Sequence, residues 1–147
     1  MKLSTRTRYG MRALVDLSIH SRGKPVQLKA IARRQDISVS YLEHLIIPLI
    51  SAGIVKTIRG SKGGVMLAKN PENINLKNIL EILEGPLAPV DCLKEGSDCV
   101  RSGSCATQEL WDKMKTAIEN VLVTSNLKDL AEKQKIKELC KTDMYYI

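Results

Sequence analysis

The chain has 147 residues, 44% of them hydrophobic and 27% charged, with a formal charge of +7. That length provides for one domain with an extension, and the composition is that of a folded chain rather than a disordered one. No run approaches the roughly 18 apolar residues that span a bilayer, and charges interrupt the apolar residues of MKLSTRTRYGMRALVDLSIH, so a soluble, cytoplasmic protein without membrane contact is expected. The charge is unevenly placed. Residues 1–70 carry 13 Lys/Arg against 3 Asp/Glu, a net +10, whereas residues 71–147 carry 10 against 13, a net −3. The first half is suited to a polyanion, because cations that neutralise phosphates release condensed counterions. Phe is absent and there are one Trp and four Tyr, which argues against a platform that stacks single-stranded bases.

In chain order, Tyr9, Ala13, Leu14, Leu17 and Ile19 follow a largely helical spacing between Thr5 and His20. Gly23 and Pro25 close that helix. A short second helix is predicted with Leu28, Ile31 and Ala32 inward and Lys29, Arg33 and Arg34 outward. Asp36–Ser38 forms a turn, after which Ser38 or Ser40 caps a third helix over Tyr41–Ala52. Its predicted buried face is Leu42, Leu45, Ile46, Leu49 and Ile50. Pro48 lies inside this stretch and predicts a kink or a break. Ile54–Arg59 and Val65–Ala68 flank Gly60-Ser61-Lys62-Gly63-Gly64 and read as a hairpin. Three helices followed by a hairpin, with a tight turn between the second and third, make a winged helix-turn-helix.

Asn75–Glu84 predicts a fourth helix with Leu76, Ile79, Leu80 and Leu83 on one face. Gly85–Gly103 is expected to be an irregular loop, and loops of that length are usually functional or disordered. A long helix over about Thr107–Thr124 carries Leu110, Met114, Ala117, Ile118, Val121 and Leu122, to be packed on its own domain or on a second subunit. A shorter helix over Asn126–Leu139 and a loose tail, Lys141–Ile147, complete the chain. The fold expected is mainly α with a small β-hairpin. Residues 1–84 form the winged helix-turn-helix, 85–106 a cysteine-containing loop, and 107–140 the long helix and terminal helix.

In a helix-turn-helix the second helix enters the major groove, where donors and acceptors distinguish all four base pairs. The candidate DNA contacts on that helix are Ser38, Ser40, Tyr41, Glu43 and His44. Ser and Tyr suit phosphate oxygens, and Glu43 suits the N4 amino group of cytosine; an ordinary solvated Glu is the competing reading. The wing candidates are Arg59, Ser61, Lys62 and Gly63, the charges for a narrow minor groove and the glycines for close backbone approach. The Gly-rich turn fails as a nucleotide-binding loop, since no Lys-Ser/Thr pair follows it and no helix starts there.

Cys92, Cys99 and Cys105 fall within one loop without a C-x-x-C pair. Loose spacing suits an object larger than a single ion, such as an iron–sulfur cluster. A zinc site, a redox switch and ordinary packing remain alternatives on spacing alone. No nucleophile–base pair is visible, and neither His20 nor His44 is near the cysteines in sequence, so no enzyme is expected.

Three segments carry a resemblance: MKLSTRTRYGMRALVDLSIH, ARRQDISVSYLEHLIIPLISAGIVKTIRGSKGGVMLAK, and the three-cysteine loop followed by LWDKM. Over about residues 1–135 the chain resembles the Rrf family of winged-helix repressors, especially its IscR-like iron–sulfur regulators. The resemblance implies a homodimer formed through the long helix, a palindromic double-stranded DNA site, a base read by Glu43 and Arg59 in the wing. It also implies a cluster on Cys92, Cys99 and Cys105, with 2Fe–2S preferred over 4Fe–4S. IscR-like proteins have a histidine ligand three residues after the last cysteine, where this chain has Gln108. Nitric-oxide-sensing relatives use an acidic residue near the start of the first helix, where this chain has Arg8. The fourth ligand is therefore open among Gln108, Asp91, Asp98, Cys140 and an exogenous group. Other relatives control sulfur metabolism through a partner enzyme without a cluster, and such a regulator, or one switched by thiol oxidation, is the alternative.

Overall fold

The computed structural model describes residues 2–144. Helix α1 (Thr5–His20) begins where the Ser4 hydroxyl oxygen accepts the Thr7 N–H at 3.1 Å, satisfying one of the donors that a helix start leaves orphaned. The Glu84 carboxylate, at the far end of helix α4 (Leu76–Glu84), completes this cap. It accepts from the Ser4 N–H at 3.1 Å, the Ser4 hydroxyl at 2.7 Å and the Thr7 hydroxyl. Those donors, the Thr7 hydroxyl foremost, hold the Glu84 carboxyl below the usual glutamate range. A Cβ at Gly10 would sit 2.7 Å from Leu83 Cδ1, so glycine is what lets the α1 backbone pack directly on α4.

Helix α1 is the central strut. Ala13, Leu14 and Leu17 on it are fully buried, against α2 (Leu28–Gln35), α3 (Val39–Ser51), α4 and α6 (Leu127–Met144). The turn between α2 and α3 places Asp36 in the left-handed region (φ 54°, ψ 52°), and the Ile37 N–H donates to the Ala32 carbonyl at 3.0 Å. Asp16, buried on α1, locks this unit in place. Its carboxylate accepts from Arg34 Nη2 at 2.6 Å, Arg34 Nε at 2.9 Å and Gln35 Nε2 at 2.9 Å. Arg12, one turn earlier on α1, donates from Nε to Gln35 Oε1 at 3.0 Å.

The hairpin pairs β1 (Val55–Ile58) with β2 (Gly64–Leu67) antiparallel, in the register Val55↔Leu67 to Ile58↔Gly64. Val26 adds a bridge to Val65, with both N–H···O distances at 2.8 Å, which ties the wing to the start of α2. Val55 and Val65 are buried in the same core as Leu42, Ile46, Leu49, Ile79 and Leu127. This is the winged helix-turn-helix expected from the sequence.

Three details differ. Helix α3 starts at Val39 and runs unbroken through Pro48. The carbonyl that loses its partner there belongs to exposed His44, where water can replace the bond, and the helix ends within another turn. The Gly85–Gly103 loop contains one 3-10 turn, Asp91–Leu93. Helix α6 continues to Met144, so Lys141–Met144 is helical rather than a loose tail, and 145–147 lie outside the described residues. Leu127 and Ala131 bury the first turns of α6 on α1, and the later turns extend from that anchor with largely exposed side chains.

Helix α5 (Ala106–Val123) has no buried residue. Its C-terminal turns are held by neighbours: Asn75 caps α4 and donates to the Val123 carbonyl at 2.8 Å, and Lys77 lies 3.4 Å from Glu119. Trp111, Ile118 and Leu122 are half-buried, whereas Leu110, Met114, Ala117 and Val121, at helical spacing, are exposed.

Replacing Asp16 by Ala leaves Arg34 and Gln35 without their shared acceptor. Because the Arg34 side chain is 30% exposed, water partly compensates. The expected loss is about 2 kcal/mol, less than for a fully buried pair, read as a lower urea midpoint with an unchanged m value.

Candidate nucleic-acid interface and cysteine loop

The face that α3 offers to solvent is built by its cap and its period. The Ser38 hydroxyl oxygen accepts the Tyr41 N–H at 3.1 Å, so Ser38 serves the helix as its N-cap and retains an O–H to donate. Ser40, Glu43 and His44 are exposed on α3, at positions that share one helical face. Tyr41 is half-buried: its ring meets Tyr9 edge-on at 6.1 Å, and the Arg12 guanidinium lies 5.1 Å over the Tyr9 ring. Tyr41 is thus held by packing on Tyr9.

In the wing, Arg59, Ser61 and Lys62 are exposed and Gly63 is half-buried. Neither Arg59 nor Lys62 has an acidic partner within ion-pair distance among the described residues. Gly63 has a packing reason beyond backbone approach to a ligand. A Cβ there would fall 2.1 Å from the Ile58 carbonyl oxygen, and the Gly63 N–H donates to the Gly60 carbonyl at 3.0 Å. The tight turn itself requires glycine, and it leaves two free cations at the tip.

The predicted reading residues therefore occupy two surfaces of one winged-helix unit, a polar one on α3 and a cation-bearing one at the wing tip. Sequence reasoning missed one exposed member of the α3 face, Ile47, which is 57% exposed beside the buried Leu45 and Ile46. The helical period already left Ile47 off the predicted buried face, but only polar side chains were counted among the candidate contacts.

The cysteine loop is organised differently. Cys92 is half-buried in the 3-10 turn, Cys99 is exposed, and Cys105 is half-buried at the N-cap of α5. Cys140 is exposed on α6, remote in sequence from the other three. Local bonds hold the loop: Ser97 Oγ donates to the Cys92 carbonyl at 2.9 Å and Lys94 Nζ lies 2.5 Å from Asp91 Oδ1. Gln108 is already engaged, its Nε2 donating to Ser102 Oγ at 3.2 Å and its Oε1 accepting the Gly103 N–H at 3.3 Å. The Thr107 hydroxyl, 3.1 Å from Cys105 Sγ, holds that thiol below the usual cysteine range, helped by the Gln108 and Thr107 N–H groups of the helix start and by Arg101.

Among the described residues no three His, Cys, Asp or Glu side chains converge closely enough to hold a metal ion. Three thiols match the donor chemistry of an iron–sulfur cluster, but as placed they do not form a ligand cage. The geometry does not fit the group without rearrangement of the loop.

Comparison with known proteins converges on one family. Its model, Rrf2, described as an iron-dependent transcriptional regulator, matches residues 3–133. The HTH-type transcriptional regulator CymR of Bacillus subtilis is 39% identical over 131 residues, 89% of this chain and 90% of that one. The solved structure of B. subtilis CymR, titled the global cysteine regulator, superposes with a TM-score of 0.77 at 38% identity, covering 90% of this chain and 98% of that one. The solved T. potens IscR gives 0.74 at 40% identity, covering 91% and 88%.

A thiolate held by a neighbouring hydroxyl loses that support when the hydroxyl is removed. Thr107→Val is expected to shift the pH profile of Cys105 alkylation upward. Mass spectrometry of pulse-labelled protein checks this, and an unmoved profile would show that Thr107 does not tune the thiol.

Proposed function

The chain belongs to the Rrf2 family of transcriptional regulators, and on that premise we propose that it is a dimeric, DNA-binding regulator whose input is the cysteine loop. The observation that carries the DNA reading is the pairing of an exposed polar face on α3 with an unpartnered basic wing tip on the same rigid unit. In this reading Ser38, Ser40, Tyr41 and His44 serve phosphates or base edges. Glu43 accepts from cytosine, and Arg59, Ser61, Lys62 and Gly63 form the minor-groove contact. Residues 1–84 are the reading unit, 85–106 the input loop and 107–140 the assembly unit. The exposed Leu110, Met114, Ala117 and Val121 stripe supports a homodimer through α5. A two-fold pair of reading heads suits a palindromic site.

For the input, the cofactor we propose is an iron–sulfur cluster on Cys92, Cys99 and Cys105, 2Fe–2S in preference to 4Fe–4S. Its support is the donor set and the likeness to T. potens IscR. Uptake requires the loop to draw the three thiols together. A second reading, regulation of cysteine or sulfur metabolism by a partner protein or by thiol oxidation without a cluster, is favoured by two observations. The thiols are dispersed as placed, and the B. subtilis relative is titled a cysteine regulator.

Two experiments test these readings. A duplex selected from a randomised pool is expected to bind with a steep salt dependence. Arg59→Ala, which removes one cation from each protomer, should lower affinity and reduce the log–log salt slope by about 2, whereas Glu43→Ala should relax the preference at one base pair per half-site with a smaller affinity loss. An unchanged base preference in Glu43→Ala would remove its reading role. Anaerobic reconstitution with iron and sulfide should give a coloured protein, with iron and sulfide counts that separate 2Fe–2S from 4Fe–4S and fall in each single Cys→Ala variant. A colourless protein supports the cluster-free reading.

A further inference from the structure

We infer that Ile47 is a specificity-determining residue that receives the C5-methyl group of a thymine in the major groove, an inference that rests on α3 being the helix that enters the groove. In a helix the residues i, i+3, i+4 and i+7 share one face. On α3 these are Ser40, Glu43, His44 and Ile47, and all four are exposed. The homeodomain reading helix uses the same spacing of four contacts. Three of the four positions here are polar, as base and phosphate contacts require, and the fourth is a β-branched hydrocarbon.

Ile47 is not a core residue that happens to lie near the surface. It is 57% exposed, while its neighbours Leu45, Ile46 and Leu49 are at most 2% exposed and supply the contacts that bury the helix. Nor is its carbonyl free to make a polar contact at full strength, because the Ser51 hydroxyl donates to it at 3.1 Å. What the residue offers outward is apolar surface alone. Thymine presents the only methyl group among the base edges of the major groove, and apolar side chains are the groups that read it.

The helix also limits where that thymine lies. Glu43 and Ile47 are one turn apart, a rise of about 6 Å along the axis. Base pairs rise about 3.4 Å, so the methyl group falls within about two base pairs of the cytosine read by Glu43. Glu43 and Ile47 together then prefer a cytosine and a nearby thymine, one by hydrogen bonding and one by burial.

Deoxyuridine differs from thymidine by that methyl group alone, which makes the test specific. Each thymine of the pool-selected duplex is replaced in turn by deoxyuridine, and binding is measured for the wild type, Ile47→Ser and Ile47→Val. At one thymine per half-site the wild type should lose about fourfold in affinity, the worth of one buried methyl group. Ile47→Val should keep that penalty. Ile47→Ser removes the contact from both protomers, so it should bind the thymine duplex about as weakly as the wild type binds a duplex with deoxyuridine at that position in both half-sites, and should be indifferent to the exchange. Three outcomes overturn the inference while leaving the DNA reading in place: no deoxyuridine position affects the wild type, Ile47→Ser keeps the full penalty, or the selected site has no thymine within two base pairs of the one relaxed by Glu43→Ala. If the pool yields no selected sequence, the DNA reading fails and takes this inference with it.

Discussion

The carboxylate of Asp16 is the constraint on which the geometry of the reading unit depends. It is buried on α1, where an unpaired charge would be costly, and it gathers three donors from the last turn of α2. Those donors sit immediately before the left-handed Asp36 that turns the chain into α3. The direction of α3 relative to α1 is therefore fixed by hydrogen-bond geometry as well as by hydrophobic packing. Packing alone tolerates small rotations; a multidentate carboxylate–guanidinium–amide cluster does not. Base reading needs this precision, because a side chain displaced by an ångström no longer meets its donor.

A second set of contacts governs how the rest of the chain is attached. Glu84 caps α1 from the end of α4, and Asn75 caps α4 while holding the end of α5. The two ends of α4 thus fasten the reading unit to the elements beyond it, and the Gly85–Cys105 loop leaves from the Glu84 end. Loop and α5 have little burial of their own: α5 has no buried residue and Val100 is fully exposed. The molecule pairs a tightly specified winged-helix unit with a sparsely buried loop. Loops with few buried contacts are where proteins open at low cost in free energy, which is the property an input element requires.

The winged helix-turn-helix was legible from the sequence because its signals are local. Helical apolar spacing, Ser38 before an apolar run and glycines between two apolar strands each report on a few neighbouring residues. Pro48 predicted a kink or a break on the same local grounds; the break is absent, because the freed carbonyl lies on an exposed turn near the helix end, where solvent can replace the lost bond. The tail was misjudged because the docking of Leu127 and Ala131 on α1, which anchors the last helix, depends on residues more than a hundred positions away.

The sequence by itself determined the fold class, the uneven charge and the residue types available at the two candidate sites, since periodicity, capping and charge need no knowledge of distant contacts. It also provided three thiols in one loop. Tertiary structure alone decided that no other element covers Ile47, that Gly63 is demanded by the Ile58 carbonyl, and that Gln108 is bonded to its own loop. It decided, too, that the cysteines are dispersed rather than gathered. The physical reason is common to all four. Which atoms end up within bonding distance is set by the closure of long chain segments around α1, and a run of apolar residues or a cysteine count carries no record of that closure.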